Sequence, residues 1–271
     1  MVSPPSYIHG HAESVLRSHR SRTAENSAAY LLGELRSGMT LLDVGSGPGT
    51  ITVDLAGRVA PGRVTALETS PDILELTRAE AARQGCTNID YVTGDIQALD
   101  LPAASFDVVH AHQVLQHVAD PVTALKEMIR VCRPGGVVAA RDADYGAFTW
   151  YPASPGLDRW RELYHAAAVA NGGEPDAGRR LLAWARAAGA DDQAITASSA
   201  TWCYADPQSR QEWGSMWADR ITTSAIAEQL VTSGLATRTD LEAIARAWRD
   251  WAADPDGWLT ILHGQILLRP A

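Results

Sequence analysis

The sequence predicts an α/β fold in which helices cover a doubly wound, mostly parallel sheet. Three observations predict it. Short apolar runs alternate with helical stretches from residue 30 to about residue 140, three alternate glycines follow the first run at once, and the helices carry clear start and stop signals. Because parallel strands need crossover connections, this alternation favours a parallel sheet with helices on both faces.

The elements follow from these patterns in order. Five apolar runs predict strands at residues 40–45, 63–68, 90–93, 106–111 and 136–141. The stretches between them predict helices near residues 49–60, 71–84 and 121–132. Ser70-Pro71 and Asp120-Pro121 are typical helix starts, since Ser and Asp cap free N–H groups and Pro fits the first turn. Gly85 and Arg133-Pro134-Gly135-Gly136 are typical helix ends.

Outside this region the patterns are less regular. Residues 7–36 predict two helical pieces broken near Ser21, and residues 156–187 and 207–252 are mostly helical by pattern. Two further apolar runs, 195–204 and 258–268, predict strands that complete a seven-stranded sheet.

We therefore expect one structural domain with three parts. An N-terminal helical lid covers residues 1–29, a Rossmann-like ligand-binding core covers residues 30–145, and residues 146–271 add lid helices and the last two strands. All nine tryptophans lie at or beyond position 150, so the third part differs in composition from the core.

Composition and charge exclude several classes of protein. The net charge is −9, from 32 acidic against 23 basic residues, and such a field disfavours nucleic-acid binding. The three cysteines form no C-x-x-C pair, which is typical of a reducing compartment. No run of about 18 apolar residues is present to span a bilayer. These observations predict a cytoplasmic protein without a membrane span.

The glycine loop is the most specific motif. Residues 41–49 read Leu-Leu-Asp-Val-Gly-Ser-Gly-Pro-Gly, which is strand, glycine loop and helix start. A dinucleotide-binding loop would place its third glycine at position 50, where this chain has Thr50. The loop therefore predicts a nucleotide-like ligand other than a dinucleotide.

Acidic residues stand at the ends of the next two strands. Ligands of open α/β sheets bind outside the carboxyl ends of the strands. Glu68 ends the second strand, where its carboxylate suits the two hydroxyls of a ribose. Asp95 follows the third strand and can accept from an exocyclic amine, while Ile96 offers an apolar face to adenine.

Taken together, residues 41–138 resemble class I S-adenosylmethionine-dependent methyltransferases. Gly94-Asp95, Leu115-Gln116-His117-Val118, Asp120-Pro121 and the Arg133–Gly136 turn are similar to the branch typified by ubiquinone and menaquinone C-methyltransferases. The resemblance implies S-adenosylmethionine as cofactor and a small-molecule methyl acceptor. With the residue arguments, it assigns to the cofactor Tyr7, Arg22, Gly45, Ser46, Gly47, Gly49, Glu68, Thr69, Asp95, Ile96, His112 and Gln113.

Candidates for the chemistry itself are fewer. His117 is the candidate catalytic base near the transferred methyl. The branch commonly has a pair of histidines before Val118, and this chain departs from it with Gln116 in the first position. His11, Asp144, Tyr145 and Trp150 are candidate substrate residues. Asp142 and Asp144 have a spacing seen in metal sites, but no further ligand set is evident, so no metal is expected.

The leading hypothesis is an enzyme that methylates a small, apolar or aromatic molecule on oxygen, nitrogen or carbon by in-line transfer. It would act as a monomer or homodimer. One alternative is a non-catalytic S-adenosylmethionine-binding module, and a less favoured one is a nicotinamide-dependent oxidoreductase, which Thr50 and Asp95 disfavour.

Overall fold

The computed structural model describes residues 21–271. Its strands are β1 (Leu41–Val44), β2 (Val64–Glu68), β3 (Ile89–Thr93), β4 (Phe106–His112), β5 (Cys132–Ala143), β6 (Thr149–Tyr151), β7 (Ile195–Tyr204) and β8 (Trp258–Leu268). Its α-helices are α1 (Ala24–Ser27), α2 (Ala29–Leu32), α3 (Thr50–Val59), α4 (Pro71–Arg83), α5 (Pro121–Val131), α6 (Pro155–Ala170), α7 (Ala177–Ala187), α8 (Pro207–Thr223), α9 (Ala225–Thr232) and α10 (Arg238–Ala253). Most of the predicted N-terminal lid lies outside the described residues.

The strands form a sheet in the order β3-β2-β1-β4-β5-β8-β6, with β7 also paired to β8. Pairs β1–β2, β1–β4, β2–β3 and β4–β5 are parallel, and β6 is antiparallel to β8. The predicted doubly wound α/β fold is confirmed, and all seven predicted strands are present. The three-residue strand β6 is an addition, too short to give a sequence pattern. Because the chain leaves β1 toward β2 and returns on its other side as β4, the switch point lies at β1 and β4.

The local signals act largely as expected. Helix α5 begins at Pro121, and the Asp120 carboxylate accepts the N–H of Thr123. Ser70 occupies the same position before α4 but makes no side-chain cap bond, which differs from the prediction. Helix α5 ends at Val131, just before residues 133–136 as expected, and Gly135 has a left-handed φ of +74°. β5 begins at Cys132, but its pairing with β4 is irregular here, passing from Phe106–Cys132 directly to Val108–Val137.

The described residues divide into two compact units. One comprises residues 21–142, Ala177–Ala200 and His263–Ala271; the other comprises Ala143–Asp176 and Thr201–Leu262. We refer to them as the sheet unit and the tryptophan unit. The predicted division into a lid, a core and C-terminal insertions remains a prediction.

The sheet unit buries alternate residues of its central strands on its two faces. Leu41 and Val108 belong to one apolar cluster, and Leu42 and Val109 belong to the other. In the tryptophan unit the core is aromatic: Trp160, Trp217 and Trp248 are fully buried and meet edge to face or stacked. Of the helices between residues 21 and 271, none combines the length and apolarity that a bilayer crossing demands.

Candidate active site

The glycine loop between β1 and α3 has left-handed backbone at all three glycines. The φ angles are +70° at Gly45, +56° at Gly47 and +88° at Gly49. A Cβ on Gly45 would lie 2.5 Å from Val114 Cγ2, and one on Gly49 would lie 2.8 Å from the Thr77 backbone. A Cβ on Gly47 would meet no atom within 4 Å. Gly45 and Gly49 are therefore fixed by close packing, whereas Gly47 borders open space.

Thr77 on α4 supports the glycine loop through hydrogen bonds. Its hydroxyl donates to the Gly47 carbonyl at 2.7 Å, and it lies 3.1 Å from the Ser46 hydroxyl. Since the single Thr77 proton is engaged by Gly47, the Ser46 hydroxyl donates to Thr77. Ser46 is buried, so its side chain supports the loop through Thr77. Sequence reasoning missed Thr77, which is a helix residue of the kind that occurs on any amphipathic helix.

Glu68 closes the loop at the end of β2. One carboxylate oxygen accepts the Gly47 N–H at 2.9 Å, and the other accepts the Thr69 N–H at 3.0 Å. These two bonds hold the Glu68 carboxylate in one orientation. The predicted pair of Gly47 and Glu68 thus lies together beside the open space.

The residues predicted for adenine follow β3. Ile96 is buried, and the exposed Asp95 carboxylate accepts the Gln97 N–H at 2.9 Å. This Asx-type contact fixes the turn after the strand, with Asp95 at the carboxyl edge of the sheet, where Glu68 also stands.

At the end of β4 lies a second polar group. His112 is buried, and burial together with the nearby charge of Arg22 holds the pKa of its imidazole well below the ordinary range. Gln113 follows it, with its side chain 3.0 Å from Arg22 and 3.0 Å from His263 on β8. Three predicted cofactor residues are thus brought together with His263, which sequence reasoning missed.

Asp43, on the strand that precedes the glycine loop, connects β1 to α3 and β4. Its carboxylate accepts from the Thr52 hydroxyl at 2.6 Å and lies 2.7 Å from His110 Nδ1 on β4. All three side chains are buried. This contact ties the strand before the loop to the helix after it.

His117 ends the short 3₁₀ turn Leu115–His117 that follows β4. Burial and the charge of Arg22 lower its pKa to about 3, and its Nε2 lies 3.0 Å from the Gln116 amide nitrogen. The Gln116 backbone N–H donates to Asp142 at 3.1 Å. Burial raises the pKa of Asp142 to about 8, so near neutral pH this carboxyl is largely protonated and His117 is neutral.

The other predicted residues lie elsewhere. Asp144 and Tyr145 belong to the tryptophan unit: Asp144 accepts the Ala147 N–H at 3.1 Å, and the buried Tyr145 ring stacks on Tyr164 at 3.9 Å. Trp150 lies half-buried on β6 beneath the Arg161 guanidinium at 4.7 Å. Tyr7 and His11 are outside the described residues. Between residues 21 and 271, no three His, Cys, Asp or Glu side chains gather as metal ligands.

The arrangement fits a nucleoside carrying an amino-acid tail. Gly47 leaves open the space that a Cβ would fill, Glu68 places a carboxylate beside it, and Arg22 brings a positive charge to the polar group after β4. Gly47 follows β1, Glu68 ends β2, and Gln113, which Arg22 contacts, follows β4, so the site lies at the carboxyl edge of the sheet, where such ligands bind.

Comparisons with known proteins agree with this geometry. Residues 42–140 match a family model described as a methyltransferase domain. An uncharacterized methyltransferase of Schizosaccharomyces pombe is 33% identical, over 97% of this chain and 96% of that protein. A demethylmenaquinone methyltransferase of Lactococcus lactis is 35% identical over 134 residues, 49% of this chain and 50% of that protein.

A solved structure, the YcgJ protein of Bacillus subtilis, matches in fold with a TM-score of 0.60 at 16% identity, over 91% of this chain and 99% of that one. The full-length relative and the family model fix the class, and the Lactococcus lactis relative supports the quinone-methyltransferase branch over half of the chain. The chain therefore belongs to the class I S-adenosylmethionine-dependent methyltransferases, with S-adenosylmethionine as its cofactor.

Proposed function

We propose that this enzyme methylates a small, apolar or aromatic molecule on oxygen, nitrogen or carbon. The cofactor supplies a methyl group already activated by a positive sulfur. What the chain must add is alignment of the acceptor with that methyl and exclusion of water, which together lower a barrier by several kcal/mol without covalent catalysis.

The observation that carries the cofactor half of the proposal is the corner formed by Gly47 and Glu68. Glu68 already accepts N–H bonds from Gly47 and Thr69, which hold its carboxylate in one orientation beside the open space at Gly47. We assign Glu68 to the ribose hydroxyls, the backbone of Gly45–Gly49 to the ribose and methionine, and Asp95 with Ile96 to the adenine. Arg22, His112 and Gln113 are assigned to the methionine end.

The state of His117 favours a reaction driven by alignment. A general base works best with a pKa near the working pH, and the pKa of His117 is about 3. His117 is uncharged and therefore able to accept a proton, but it is a weak base. We accordingly keep His117 as the candidate base for an acceptor that is acidic itself, such as a phenol.

The acceptor class is argued from the tryptophan unit. Eight of the nine tryptophans belong to it, since only Trp184 falls in the sheet unit. Trp160, Trp217 and Trp248 form the buried core of this unit, so the half-buried Trp150 carries the argument: an aromatic ring binds flat apolar molecules through area and stacking. Asp144, Tyr145 and Trp150, with His11, remain the proposed substrate residues. A cytoplasmic location, a monomer or homodimer and the absence of a nucleic-acid partner complete the proposal.

The first test is cofactor binding by calorimetry, using wild type and Glu68→Ala. Loss of the carboxylate removes charge-assisted hydrogen bonds, so the affinity for S-adenosylmethionine should fall about 10- to 100-fold. Glu75→Ala, an exposed acid on α4, is the control and should bind like wild type. Equal affinity of Glu68→Ala and wild type would disprove the ribose assignment.

The second test is turnover. Labelled methyl groups should be transferred to members of a panel of quinols, phenols and amines. Binding of the cofactor with no transfer to any of them would favour the non-catalytic module, and preferential binding of NAD would favour the oxidoreductase.

A further inference from the structure

Gln113 is held in an unusual backbone conformation at the end of β4. Its φ angle is +55°, and within residues 21–271 only one other non-glycine residue, Ala104, has a positive φ. A left-handed backbone is costly for such a residue and persists only where surrounding contacts impose it. The Gln113 N–H donates to the Arg141 carbonyl at 2.7 Å, which fixes the backbone, and the side chain has contacts of its own.

Those contacts form a chain of three side chains. Arg22 Nη2 donates to Gln113 Oε1 at 3.0 Å, and Gln113 Nε2 lies 3.0 Å from His263 Nε2. A guanidinium has donors only, so the amide oxygen must face Arg22 and the amide nitrogen must face His263. Nε2 of His263 must then accept, which makes the imidazole neutral with its proton on Nδ1.

The surroundings of His263 agree with a neutral ring. It is fully buried and stacked on His112, with 6.3 Å between ring centroids. Burial and the charges of Arg22 and Arg141 lower the pKa of His112 well below its ordinary range, so a positive charge is unfavourable at this place. Protonation of His263 Nε2 would also place two donors, the Gln113 amide N–H and an imidazolium N–H, opposite each other with no acceptor between them.

We propose that His263 and Gln113 are positioning residues that orient the Arg22 guanidinium toward the carboxylate of the bound methionine moiety. The order of the chain gives the reason. His263 fixes the amide of Gln113, and the amide oxygen fixes one N–H of Arg22. Because a guanidinium is planar, fixing one of its N–H groups fixes the plane in which it can pair with a carboxylate. The inference rests on the proposed function, because Arg22 is assigned there to the methionine end.

The first experiment determines which atoms donate and which accept in the Arg22–Gln113–His263 hydrogen bonds of the cofactor-free protein. Imidazole ¹⁵N NMR, with the His263 signals identified by their loss in His263→Gln, should show Nδ1 protonated and Nε2 unprotonated at neutral pH. Gln113→Glu puts a carboxylate oxygen opposite Nε2 and should move a proton onto that atom. If His263 of the wild-type protein were protonated on Nε2, the proposed hydrogen bond from the Gln113 amide to His263 would be wrong, and the proposal would be overturned.

The second experiment separates positioning from general structural support. Calorimetry compares S-adenosylhomocysteine, which carries the carboxylate, with 5′-methylthioadenosine, which lacks it. In His263→Leu and Gln113→Leu the affinity for S-adenosylhomocysteine should fall about tenfold, and that for 5′-methylthioadenosine should stay the same. His263→Gln keeps an acceptor opposite Gln113 and should restore most of the loss.

The outcomes are distinct. Equal losses for both ligands would mean that the two residues only support the fold, and no loss for either would mean that they do not position Arg22; both results overturn the proposal. If the wild-type protein binds neither ligand, the proposed function fails and the role at the carboxylate fails with it, whereas the NMR experiment still decides the hydrogen-bond polarity.

Discussion

Gly47 and Gly49 show that neighbouring glycines of one loop serve different purposes. Both have left-handed backbone, but only Gly49 is pressed against Thr77, and only Gly47 borders open space. The pattern of alternate glycines predicts the loop without distinguishing its members. The distinction depends on what α4 places behind the loop, and sequence spacing does not contain that information.

We therefore expect different effects of alanine at the two positions. Gly49→Ala should lower the free energy of unfolding by about 1–3 kcal/mol, because the methyl group meets Thr77 atoms at 2.8 Å. Gly47→Ala carries the conformational cost alone, about 1 kcal/mol, but should weaken S-adenosylmethionine binding more than Gly49→Ala does. Urea unfolding and calorimetry measure the two effects. A reversed order of stabilities would contradict the packing argument.

Asp142 makes the stability of the protein depend on pH. Burial raises its pKa from an ordinary 3.8 to about 8. Between these values the unfolded chain has lost the proton that the folded chain retains, so this residue makes stability fall as pH rises from about 4 to about 8. No further fall follows above that range.

Asp142→Asn should remove this dependence. At pH 8 the cofactor-free variant should be more stable than wild type by about 5 kcal/mol, and at pH 4 the two should be nearly equal. Urea unfolding across this pH range measures the difference. Asp100→Asn, at an exposed acid of the same unit, is the control. If the variant and wild type showed the same dependence of stability on pH, burial of the charged Asp142 carboxylate would carry no cost in free energy, and the argument would be wrong.

At the scale of single elements, the caps are the strongest local devices. Asp120 accepts from the Thr123 N–H at 2.9 Å and from its hydroxyl at 2.6 Å, and these bonds hold the pKa of Asp120 below its ordinary value. These bonds stabilise the folded protein fully at a pH above the ordinary pKa of an aspartate, and the stabilisation is lost as the pH falls through the lowered pKa of Asp120.

Asp120→Ala should accordingly cost about 1 kcal/mol of unfolding free energy at neutral pH, because two bonds at the start of α5 are lost. Asp72→Ala removes an exposed acid from the first turn of α4, and it should cost less. Guanidinium unfolding curves at neutral pH compare the two. A larger loss for Asp72→Ala would mean that helix charge outweighs capping here.

Strands and helices were the most predictable part of the molecule, for a physical reason. Apolar periodicity records which face is buried, and the sheet unit buries nearly every residue of β1 and β4. Of the site, Glu68 and the glycine loop were predictable because each follows a strand end. His263 was not, since it lies inside β8, and only its buried place in an alternating strand sets it apart.

For the molecule as a whole, the two units share strands along the chain. β7 and β8 each pass from one unit to the other. Each strand contributes to the cohesion of both units, so partial unfolding of either would disrupt pairing in both. We expect one cooperative transition.

This expectation is measurable because the spectroscopic probes are unevenly distributed. Tryptophan fluorescence reports mainly on the tryptophan unit, whereas far-UV circular dichroism reports on the whole chain. Asp206→Ala removes the cap of α8 in the tryptophan unit and should lower the melting temperature by about 2–4 °C in both signals. Asp120→Ala, in the sheet unit, should also shift both signals together. A variant that shifts only one signal would show that the units unfold separately.

The position of β8 between β5 and β6 has a consequence for synthesis on the ribosome. β5 is complete at Ala143, yet its neighbour β8 ends only at Leu268. At usual translation speeds the gap lasts roughly 6–25 s, during which β5 presents an unpaired edge that includes the apolar run Val137–Ala140. The nascent chain, more than the finished protein, is thus the form in which this edge is open to aggregation.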